Sequence, residues 1–459
     1  MARKKEAPAS PFVPEEEQPY PIPENWCWVR LNSVRLDKDG FFDGDWILSE
    51  NMDADGEVRL LQLSDIGIGD FLNKSNRHIN IETFQNLKCK ELLEGDLIIS
   101  RMAEPIARSC IVPKFSYKVI TAVDIAVMRC NPYVIKNNYL NYICNAKWFT
   151  DSALKMARGT TRVRITRRDL SEIPIPLAPL PEQQRIVTRI ESLFTKLDEA
   201  KEKVQAVVDG FELRKSAILH KAFTGELTAK WRKERGISLD SWRIARLGEL
   251  TEIVSSKRIY KEEYVESGIP FFRSSEIVDL NDFGYTEPQF FISHDRYEEI
   301  KTKYGVPEQG DLLVTSVGTI GKTWIVDNRS FYYKDGNLTQ VKNCSTLDMR
   351  YLQLYIQSEG FKEQIRSSVA GSAYNALTIV KFKKIEVPIP LQKEQLEIVH
   401  ILDKVFEQEQ QAKSAAEAVL SQIETMKKAI LARAFRGELG TNDPAEESAA
   451  ELLNAVLGE

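Results

Sequence analysis

Cysteine and histidine are scarce in this sequence, which limits the chemistry open to it. The 459 residues include six cysteines and four histidines, and no Cys-x-x-Cys pair occurs. Such unpaired thiols argue against a disulfide framework and against a structural zinc site. The histidines are scattered at positions 78, 220, 294 and 400, so the sequence offers neither a zinc hydrolase cluster nor a histidine base.

Long apolar runs are also missing. No stretch approaches the roughly 18 uninterrupted apolar residues of a membrane helix. The basic residues 3–5 are followed by glutamate and proline instead of an apolar segment. We therefore expect neither a membrane span nor a secretory signal, and the expected location is the cytoplasm.

A strong charge of either sign is absent as well. The 62 lysines and arginines and the 67 aspartates and glutamates give a formal charge of −5, which argues against a surface that is basic throughout. Contact with a nucleic acid would have to come from local patches. The length predicts about two to four domains of ordinary size.

No catalytic or cofactor motif is complete. Residues 318–323 read Gly-Thr-Ile-Gly-Lys-Thr, but Ser316 stands where a phosphate-binding loop has its first glycine. Residues 131–133 read Asn-Pro-Tyr, yet the second proline of an adenine-methyltransferase tetrad is missing and no glycine-rich strand precedes them. We therefore expect no catalytic machinery in this chain.

An internal repeat determines the architecture. With an offset of 212 residues, 19 of the 46 positions in 182–227 are identical to their counterparts in 394–439. Shorter matches upstream are the Trp-x-x-x-x-Leu motifs at Trp26 and Trp242 and the Gly-Asp-Leu triplets at 95–97 and 310–312. This self-similarity predicts two copies of one unit, each a mixed globular part followed by a long helix.

Both long segments carry a heptad pattern. Apolar or small residues alternate at spacings of four and three, at Ile186, Ile190, Leu193, Leu197, Ala200, Val204, Val207 and Phe211. The pattern returns, interrupted only by Glu409, at Ile398, Leu402, Val405, Ala412, Ala416, Val419, Ile423, Met426 and Ile430. The spacing predicts two helices of about 40 residues that pack on each other. The first starts near Pro179, and the two end near Gly225 and Gly437. Small residues outside this seam, including Ala206, Ala217 and Ala222, would be open to helices of a partner.

Each globular part combines strands with helices. Runs rich in β-branched residues predict strands at 95–100, 122–128, 311–315 and 338–341. One helix is predicted after each set, near 138–157 and near 348–369. An α+β domain fits each copy.

The segment at 157–168 carries the most distinctive chemistry. It places five arginines within 11 positions and contains Gly-Thr-Thr, which permits close approach of the backbone to a ligand. Arginine suits bidentate contacts with phosphate or guanine. We predict nucleic-acid contacts from Arg158, Thr160, Thr161, Arg162 and Arg164. A solvated basic strand edge is the alternative.

The second copy keeps this frame but changes the displayed side chains. At the offset of 212, Tyr374 and Asn375 replace Arg162 and Val163, while a hydroxyl is kept at Ser372. One scaffold with different polar groups is expected of two readers of different base sequences, since arginine suits guanine and asparagine suits adenine. Ser372, Tyr374 and Asn375 are therefore the predicted contacts of the second copy.

A second pair of loops follows the Gly-Asp-Leu strands. Residues 101–108 of the first copy and 316–322 of the second differ in polar content. Further predicted contacts are Arg101, Arg108, Ser316 and Lys322. An ordinary polar turn is the alternative for both loops.

The repeated motifs together resemble the specificity subunit of type I restriction-modification systems. The resemblance covers about residues 24–440 and rests on paired Trp-x-x-x-x-Leu, Gly-Asp-Leu, Pro-Ile-Pro-Leu, Glu-Gln and Ala-Phe-x-Gly-Glu-Leu motifs in the same order. It implies an α+β fold of two tandem α/β target-recognition domains, joined and spaced by two long antiparallel helices that form a coiled coil, with an internal pseudo-twofold repeat. Domains are expected at 24–178 and 229–390, spacer helices at 179–228 and 391–440, a flexible tail at 1–23 and a second tail at 441–459.

The resemblance also implies a division of labour. Each recognition domain would read one half of a split, asymmetric DNA site, and the helices would set the gap and dock two modification subunits. Those subunits would methylate adenine with S-adenosylmethionine. The resemblance allows two further restriction subunits that use ATP and magnesium. No cofactor is expected on this chain, and it would not itself be an enzyme.

Two other functions stay open from the sequence. A self-sufficient DNA adenine methyltransferase would need a cofactor motif that we do not find. A structural coiled-coil adaptor whose globular ends bind protein would suit the acidic net charge. The arginine-rich segment, and divergence confined to the displayed positions, disfavour the adaptor.

Overall fold

The fold divides into two compact units that both draw on the long helices. A computed structural model describes residues 10–102, 105–160, 162–369 and 376–458, without the side chains of residues 368 and 369. Unit 1 contains the chain up to Val204 and again from Ala418, and unit 2 contains Gln205–Glu417. This division differs from the linear series of domains expected from the sequence, because each long helix contributes one part to each unit.

The first half of the chain places its strands in three small sheets of unit 1. Its elements are β1 Cys27–Arg30, β2 Phe41–Asp43, β3 Val58–Leu61, β4 Arg77–Ile79, α1 Ile81–Asn86, β5 Leu97–Ser100, β6 Ser109–Ile111, β7 Val119–Thr121, β8 Ile125–Met128, α2 Asn137–Cys144, α3 Lys147–Met156, α4 Arg167–Ser171, β9 Pro174–Leu177 and α5 Leu180–Phe223. The sheet orders are β2-β8-β5-β6, β4-β3-β7 and β1-β9, and every pair is antiparallel except the parallel β3-β7 pair. The central strands β5 and β8 lie where the sequence predicts strands.

The second half builds unit 2 on a related plan. Its elements are α6 Ala229–Glu234, β10 Arg243–Arg246, α7 Leu247–Leu250, β11 Ile253–Val254, β12 Tyr264–Val265, β13 Ile269–Phe272, α8 Ser274–Phe283, β14 Phe291–Ile292, α9 His294–Tyr304, β15 Leu312–Thr315, β16 Thr323–Ile325, β17 Tyr332–Tyr333, β18 Leu338–Val341, α10 Met349–Ile356, α11 Glu359–Val369, α12 Ile379–Lys383, β19 Glu386–Ile389, α13 Gln392–Ala434 and α14 Ala449–Leu457, of which α14 belongs to unit 1. The sheet orders are β11-β18-β15-β16, β12-β14-β13-β17 and β10-β19. Strands β15 and β18 again match the predicted ones.

The single helix predicted in each globular part is wrong, because each is two helices. In unit 1 the backbone of Ala146 is extended between α2 and α3. The side-chain amide of Asn145 donates to the Asn141 carbonyl at 2.8 Å and to the Ser109 carbonyl at 3.1 Å, which ties the end of α2 to β6. In unit 2 the Ser358 hydroxyl accepts from the Phe361 amide at 3.3 Å and so starts α11.

The Trp-x-x-x-x-Leu and Pro-Ile-Pro-Leu motifs close each globular part. Strand β1 pairs with β9 from Cys27↔Leu177 to Arg30↔Pro174, and β10 pairs with β19 in the same antiparallel way. The two ends of each globular part therefore meet beside the start of a long helix. This explains why these two motifs recur together.

The glutamates of the Glu-Gln motifs are fully buried and hydrogen-bonded. Glu182 accepts from the Trp26 indole at 2.7 Å and from the Asn442 amide at 2.9 Å. Glu394 accepts from the Trp242 indole at 2.9 Å, from the Thr228 hydroxyl at 2.6 Å and from the Arg232 guanidinium. In unit 1 the segment after α13 thus packs on the start of α5, and in unit 2 the segment after α5 packs on the start of α13.

Helices α5 and α13 pack antiparallel in each unit. In unit 1 Lys427 pairs with Asp198 at 2.5 Å and Lys201 with Glu424 at 2.6 Å, so residue numbers rise along one helix as they fall along the other. In unit 2 the pair is Arg214 with Glu409 at 3.1 Å. Apolar seam residues at the helix starts join the core of each unit, Ile186 and Ile190 in one and Ile398 and Leu402 in the other.

Other positions of the long helices differ from the predicted seam. Val207, Val419 and Met426 are 48, 40 and 51% exposed, because a two-helix pair covers only a narrow stripe of each partner. Ala222, expected to be open to a partner, is fully buried in the core of unit 2. Within the described ranges, no helix combines the length and the apolar character that crossing a bilayer requires.

The described parts of both tails pack on unit 1, which differs from the flexible N-terminal tail expected from the sequence. The Val13 amide donates to the Trp28 carbonyl at 3.0 Å, and its side chain is buried. At the other end Arg185 forms a bidentate pair with Glu446, at 2.8 Å to each oxygen. Leu453 of α14 is fully buried in the same core. Apolar side chains and ion pairs therefore order these segments.

We expect a chain truncated after Gly440 to lose about 4 kcal/mol of free energy of unfolding in unit 1. The truncation exposes the site of Leu453, worth about 1.5 to 3 kcal/mol, and removes two hydrogen bonds to buried Glu182, worth about 1 kcal/mol each. Thermal and urea unfolding of the full and truncated chains measure the effect, with removal of residues 458–459 alone as the control. Equal stability of all three chains would contradict it.

Candidate nucleic-acid interface

The arginine-rich segment of unit 1 forms a tight hairpin. Arg158 and Arg164 exchange two backbone hydrogen bonds of 2.9 Å, and the described residues between them form the tip. Gly159 has a φ of +114°, and a Cβ there would lie 2.5 Å from the Arg162 carbonyl oxygen. Only glycine fits this close approach, which gives the glycine of the Gly-Thr-Thr sequence a structural reason.

Three arginines around this hairpin are free to meet a ligand. Arg158 and Arg162 on the hairpin and Arg168 on α4 are exposed, and none of them forms an ion pair with a residue that the structure describes. Thr160 is exposed at the tip, while Thr161 lies outside the described residues. This group, Arg158, Arg162 and Arg168, is called the free arginines below.

The other arginines of the cluster are held by carboxylates of neighbouring loops and strands. Arg164 pairs with Asp124 at 3.2 Å and donates to the Val123 carbonyl at 3.2 Å. Arg167 pairs with Asp43 at 3.2 Å, and Asp43 also pairs with Arg101. The two aspartates therefore neutralise part of the basic cluster and orient its backbone.

Arg101 is buried, Arg108 is half-buried, and both support the loops. Arg101 is 7% exposed and donates from Nε to the Ile165 carbonyl at 3.1 Å. Arg108 donates to the carbonyls of Ile66 and Leu63 at 2.8 and 2.9 Å. Burial lowers the pKa of both guanidiniums, and Asp43 opposes the shift at Arg101. The N–H donors named above are already used in hydrogen bonds within the protein. Direct contact of the two arginines with a ligand therefore stays a prediction.

Unit 2 repeats the frame of this interface. The Leu377 amide donates to the Ser316 carbonyl at 2.8 Å, and the Ile165 amide donates to the Arg101 carbonyl at 2.9 Å in unit 1. A bridge between Val317 and Ala376 corresponds to the Met102–Arg164 bridge. The predicted contacts Ser372, Tyr374 and Asn375 lie outside the described residues.

The loop at 316–322 is tightly built. Ser316 is buried, and its hydroxyl lies 2.6 Å from that of Thr339. The ammonium of Lys322 pairs with Asp282 at 2.5 Å. Ser316 thus offers no side chain to a ligand in this arrangement, whereas Lys322 is half-exposed at the end of the loop.

Sequence reasoning missed the carboxylates that divide the arginines into two classes. Asp43 reaches Arg167 across 124 positions, and Asp124 and Arg164 lie 40 positions apart. Partners that far apart in the sequence give no local pattern. The pairs are visible only in the structure, where the sheet places β2 beside β8.

Comparison with known proteins bears on this duplicated frame. A sequence model of the family described as type I restriction modification DNA specificity domain matches residues 43–208 and 240–418. The chain belongs to this family. The two matches fall on the two copies of the repeat, which confirms the resemblance drawn from the sequence. The role of the family is DNA recognition, and its specificity subunits are not catalytic.

Individual relatives carry the same description. The putative type I restriction enzyme specificity subunit S.HindORF215P of Haemophilus influenzae is 29% identical over 276 residues, which are 59% of this chain and 64% of that protein. The EcoBI specificity subunit of Escherichia coli is 24% identical over 337 residues, 67% of this chain and 69% of that protein. The chain thus aligns with just under two thirds of the first relative's length.

Solved structures share the fold. The HsdS subunit from Thermoanaerobacter tengcongensis is similar with a TM-score of 0.61, at 23% identity over 92% of this chain and 100% of that one. A chain described under complex assembly and conformational transition of the type I R-M system has a TM-score of 0.69 at the same identity and coverage. The α+β architecture with paired long helices is therefore the fold of this family.

A Gly159→Ala substitution is expected to weaken DNA binding by about tenfold, while the chain stays folded at the temperature of the binding assay. The new methyl group would collide with the Arg162 carbonyl, and relief of about 1 to 3 kcal/mol of local strain would move the hairpin tip. Gly69→Ala is the matched control, because Gly69 also has a positive φ but has open space around it. Equal DNA affinity of both variants would contradict the expectation.

Proposed function

We propose that each unit reads one half of a split, asymmetric DNA site. Unit 1 would read its half with the hairpin at 158–164 and the free arginines, and unit 2 with the aligned residues that precede Ala376. Bidentate arginine contacts to guanine are worth about 1 to 3 kcal/mol of discrimination each. The bases themselves depend on the docking of each unit on the duplex.

One observation carries this proposal. The backbone frame is the same in both units, since the Ile165 amide bonds to the Arg101 carbonyl as the Leu377 amide bonds to the Ser316 carbonyl. The sequences that precede Ile165 and Leu377 nevertheless differ in their polar residues. A structural adaptor would have no reason to keep this frame and change the polar residues within it. Two readers of different half-sites would require such a pattern.

We further propose that α5 and α13 set the gap between the half-sites and dock two modification subunits. Each helix offers exposed apolar residues that its partner helix leaves uncovered, Val207 on α5 and Val419 and Met426 on α13. The modification subunits would supply S-adenosylmethionine and methylate adenine. Two restriction subunits using ATP and magnesium would join when cleavage is part of the system.

Adenine-methylation mapping of whole genomes tests the proposal. Cells that express a modification subunit with this chain should acquire one split motif that cells without the chain lack. Exchanging residues 240–390 for those of another specificity subunit should change one half of that motif only. The proposal would be overturned if no motif appeared although the modification subunit is active with another specificity chain. It would also be overturned if the exchange changed both halves of the motif together.

A further inference from the structure

Unit 2 contains a cationic cleft that its proposed role as a base reader does not use. The cleft has a volume of about 1030 Å³ and lies among α5, α8, α10, α11, α13 and the loop at 316–322. Six cationic side chains line it: Lys215, Lys322, Arg350, Lys362, Arg366 and Lys413. Three carboxylates face the same space, Glu212, Asp282 and Glu409. Positive charge therefore prevails in it.

Four of the six cations already have acidic partners. Lys322 pairs with Asp282 at 2.5 Å, and Arg350 pairs with Asp403 at 2.6 Å. Glu359 holds both Lys362 at 2.8 Å and Arg366 at 3.1 Å. Lys215 and Lys413 differ, because neither forms an ion pair with any residue in the described part of the chain.

The internal repeat shows what these two lysines lack. At the offset of 212, Lys215 corresponds to Lys427, which pairs with Asp198 at 2.5 Å in unit 1. The position of that aspartate is occupied by Gln410 in unit 2. Lys413 corresponds to Lys201, which pairs with Glu424 at 2.6 Å in unit 1. Glu212 is the counterpart of Glu424, but it forms no ion pair with Lys413.

The environment of Lys215 disfavours its positive charge when no acidic partner is present. Burial lowers the pKa of its ammonium, Glu212 opposes this shift, and the neighbouring cations Lys362, Lys322 and Arg350 add to it. The ammonium lies 5.6 Å from the centre of the Phe406 ring. A half-buried charge that faces other cations is stabilised when an anion enters.

We propose that this cleft binds a phosphoryl group, with Lys215 and Lys413 as its main cationic contacts. The anion would occupy in unit 2 the electrostatic place that Asp198 fills in unit 1. A phosphoryl group has more acceptor oxygens for converging donors than a carboxylate has.

The phosphoryl group has two sources, a backbone phosphate of bound DNA or a free phosphate compound. Lys322 links the cleft to the loop of the proposed DNA interface, which favours the backbone phosphate. This DNA source rests on the proposed function, whereas binding of a free phosphate does not.

Binding of inorganic phosphate and of a 30-base-pair duplex to the full chain tests the inference. Lys215→Gln and Gln410→Asp should each weaken phosphate binding in calorimetry by about tenfold, because a charge-assisted contact is lost or an internal aspartate takes its place. Lys404→Gln is the control, since Lys404 is an exposed cation on the same helix as Gln410. Thermal unfolding verifies that each variant is folded.

The salt dependence of duplex binding separates the sources. If a DNA phosphate fills the cleft, Lys215→Gln should lower the slope of log K against log salt by about 0.9 for specific and random duplexes alike. If a free phosphate fills it, that slope stays unchanged while phosphate binding is lost. Phosphate binding and salt slopes equal to those of Lys404→Gln would overturn the inference, even if the chain directs a split methylation motif. If the chain directs no methylation motif but binds phosphate through Lys215, the inference stands although the proposed function fails.

Discussion

Replacing Glu394 with alanine is expected to lower the free energy of unfolding of unit 2 by about 3 to 5 kcal/mol. The carboxylate is fully buried and accepts from Trp242, Thr228 and Arg232. The guanidinium of Arg232 is itself only 7% exposed, so the substitution leaves a buried cation without its counter-ion. Urea unfolding of the full chain, followed by tryptophan fluorescence to which Trp242 contributes, measures the loss.

Three further variants separate the buried charge from other causes. Glu182→Ala removes the equivalent carboxylate of unit 1, whose donors Trp26, Thr441 and Asn442 are neutral, and should cost only about 1 to 3 kcal/mol. Glu417→Ala, on the exposed face of α13, should have almost no effect. Adding Arg232→Met to Glu394→Ala should restore part of the stability. A loss at Glu394 no larger than at Glu417 would contradict the argument.

The long helices could be predicted closely because their signals are local. Proline before the first helix, the heptad spacing and glycine after each helix indicate limits within a few residues of Leu180–Phe223 and Ala434. The Glu-Gln motifs were visible as repeats, but their role was not. Glu182 meets Asn442 across 260 positions, and no periodicity in the sequence joins residues that far apart.

The candidate interface could be predicted in part for the same reason. Gly159 and the arginine spacing predicted a basic segment that a ligand can approach closely, and the offset of 212 aligned it with the residues before Ala376. Which arginines are free could not be predicted, since that depends on Asp43 and Asp124 in distant loops and strands. Arg101 and Ser316 stand at equivalent positions in the two copies, yet both are buried supports of the loops. Sequence chemistry alone does not distinguish a displayed side chain from a buried one.

Removing the free arginines is expected to have the largest effect on DNA binding. Combined Arg158→Gln, Arg162→Gln and Arg168→Gln should weaken binding to a duplex with the methylated site by about a hundredfold or more, since each arginine contact contributes about 1 to 3 kcal/mol. Stability should stay unchanged, because none of the three forms an ion pair with the described residues. Competition binding at fixed salt measures the affinity.

A second triple variant tests whether the loss of three positive charges by itself weakens DNA binding. Lys155→Gln, Arg189→Gln and Lys196→Gln remove three exposed cations of unit 1 that lie outside the hairpin, and should weaken binding far less. Arg164→Gln adds a further distinction. Its ion pair with Asp124 supports the hairpin, so the variant should lower stability and reduce affinity only through misplacement of the tip. If the free-arginine variant binds DNA as tightly as the charge control, then the hairpin is a solvated basic edge and unit 1 reads its half-site elsewhere.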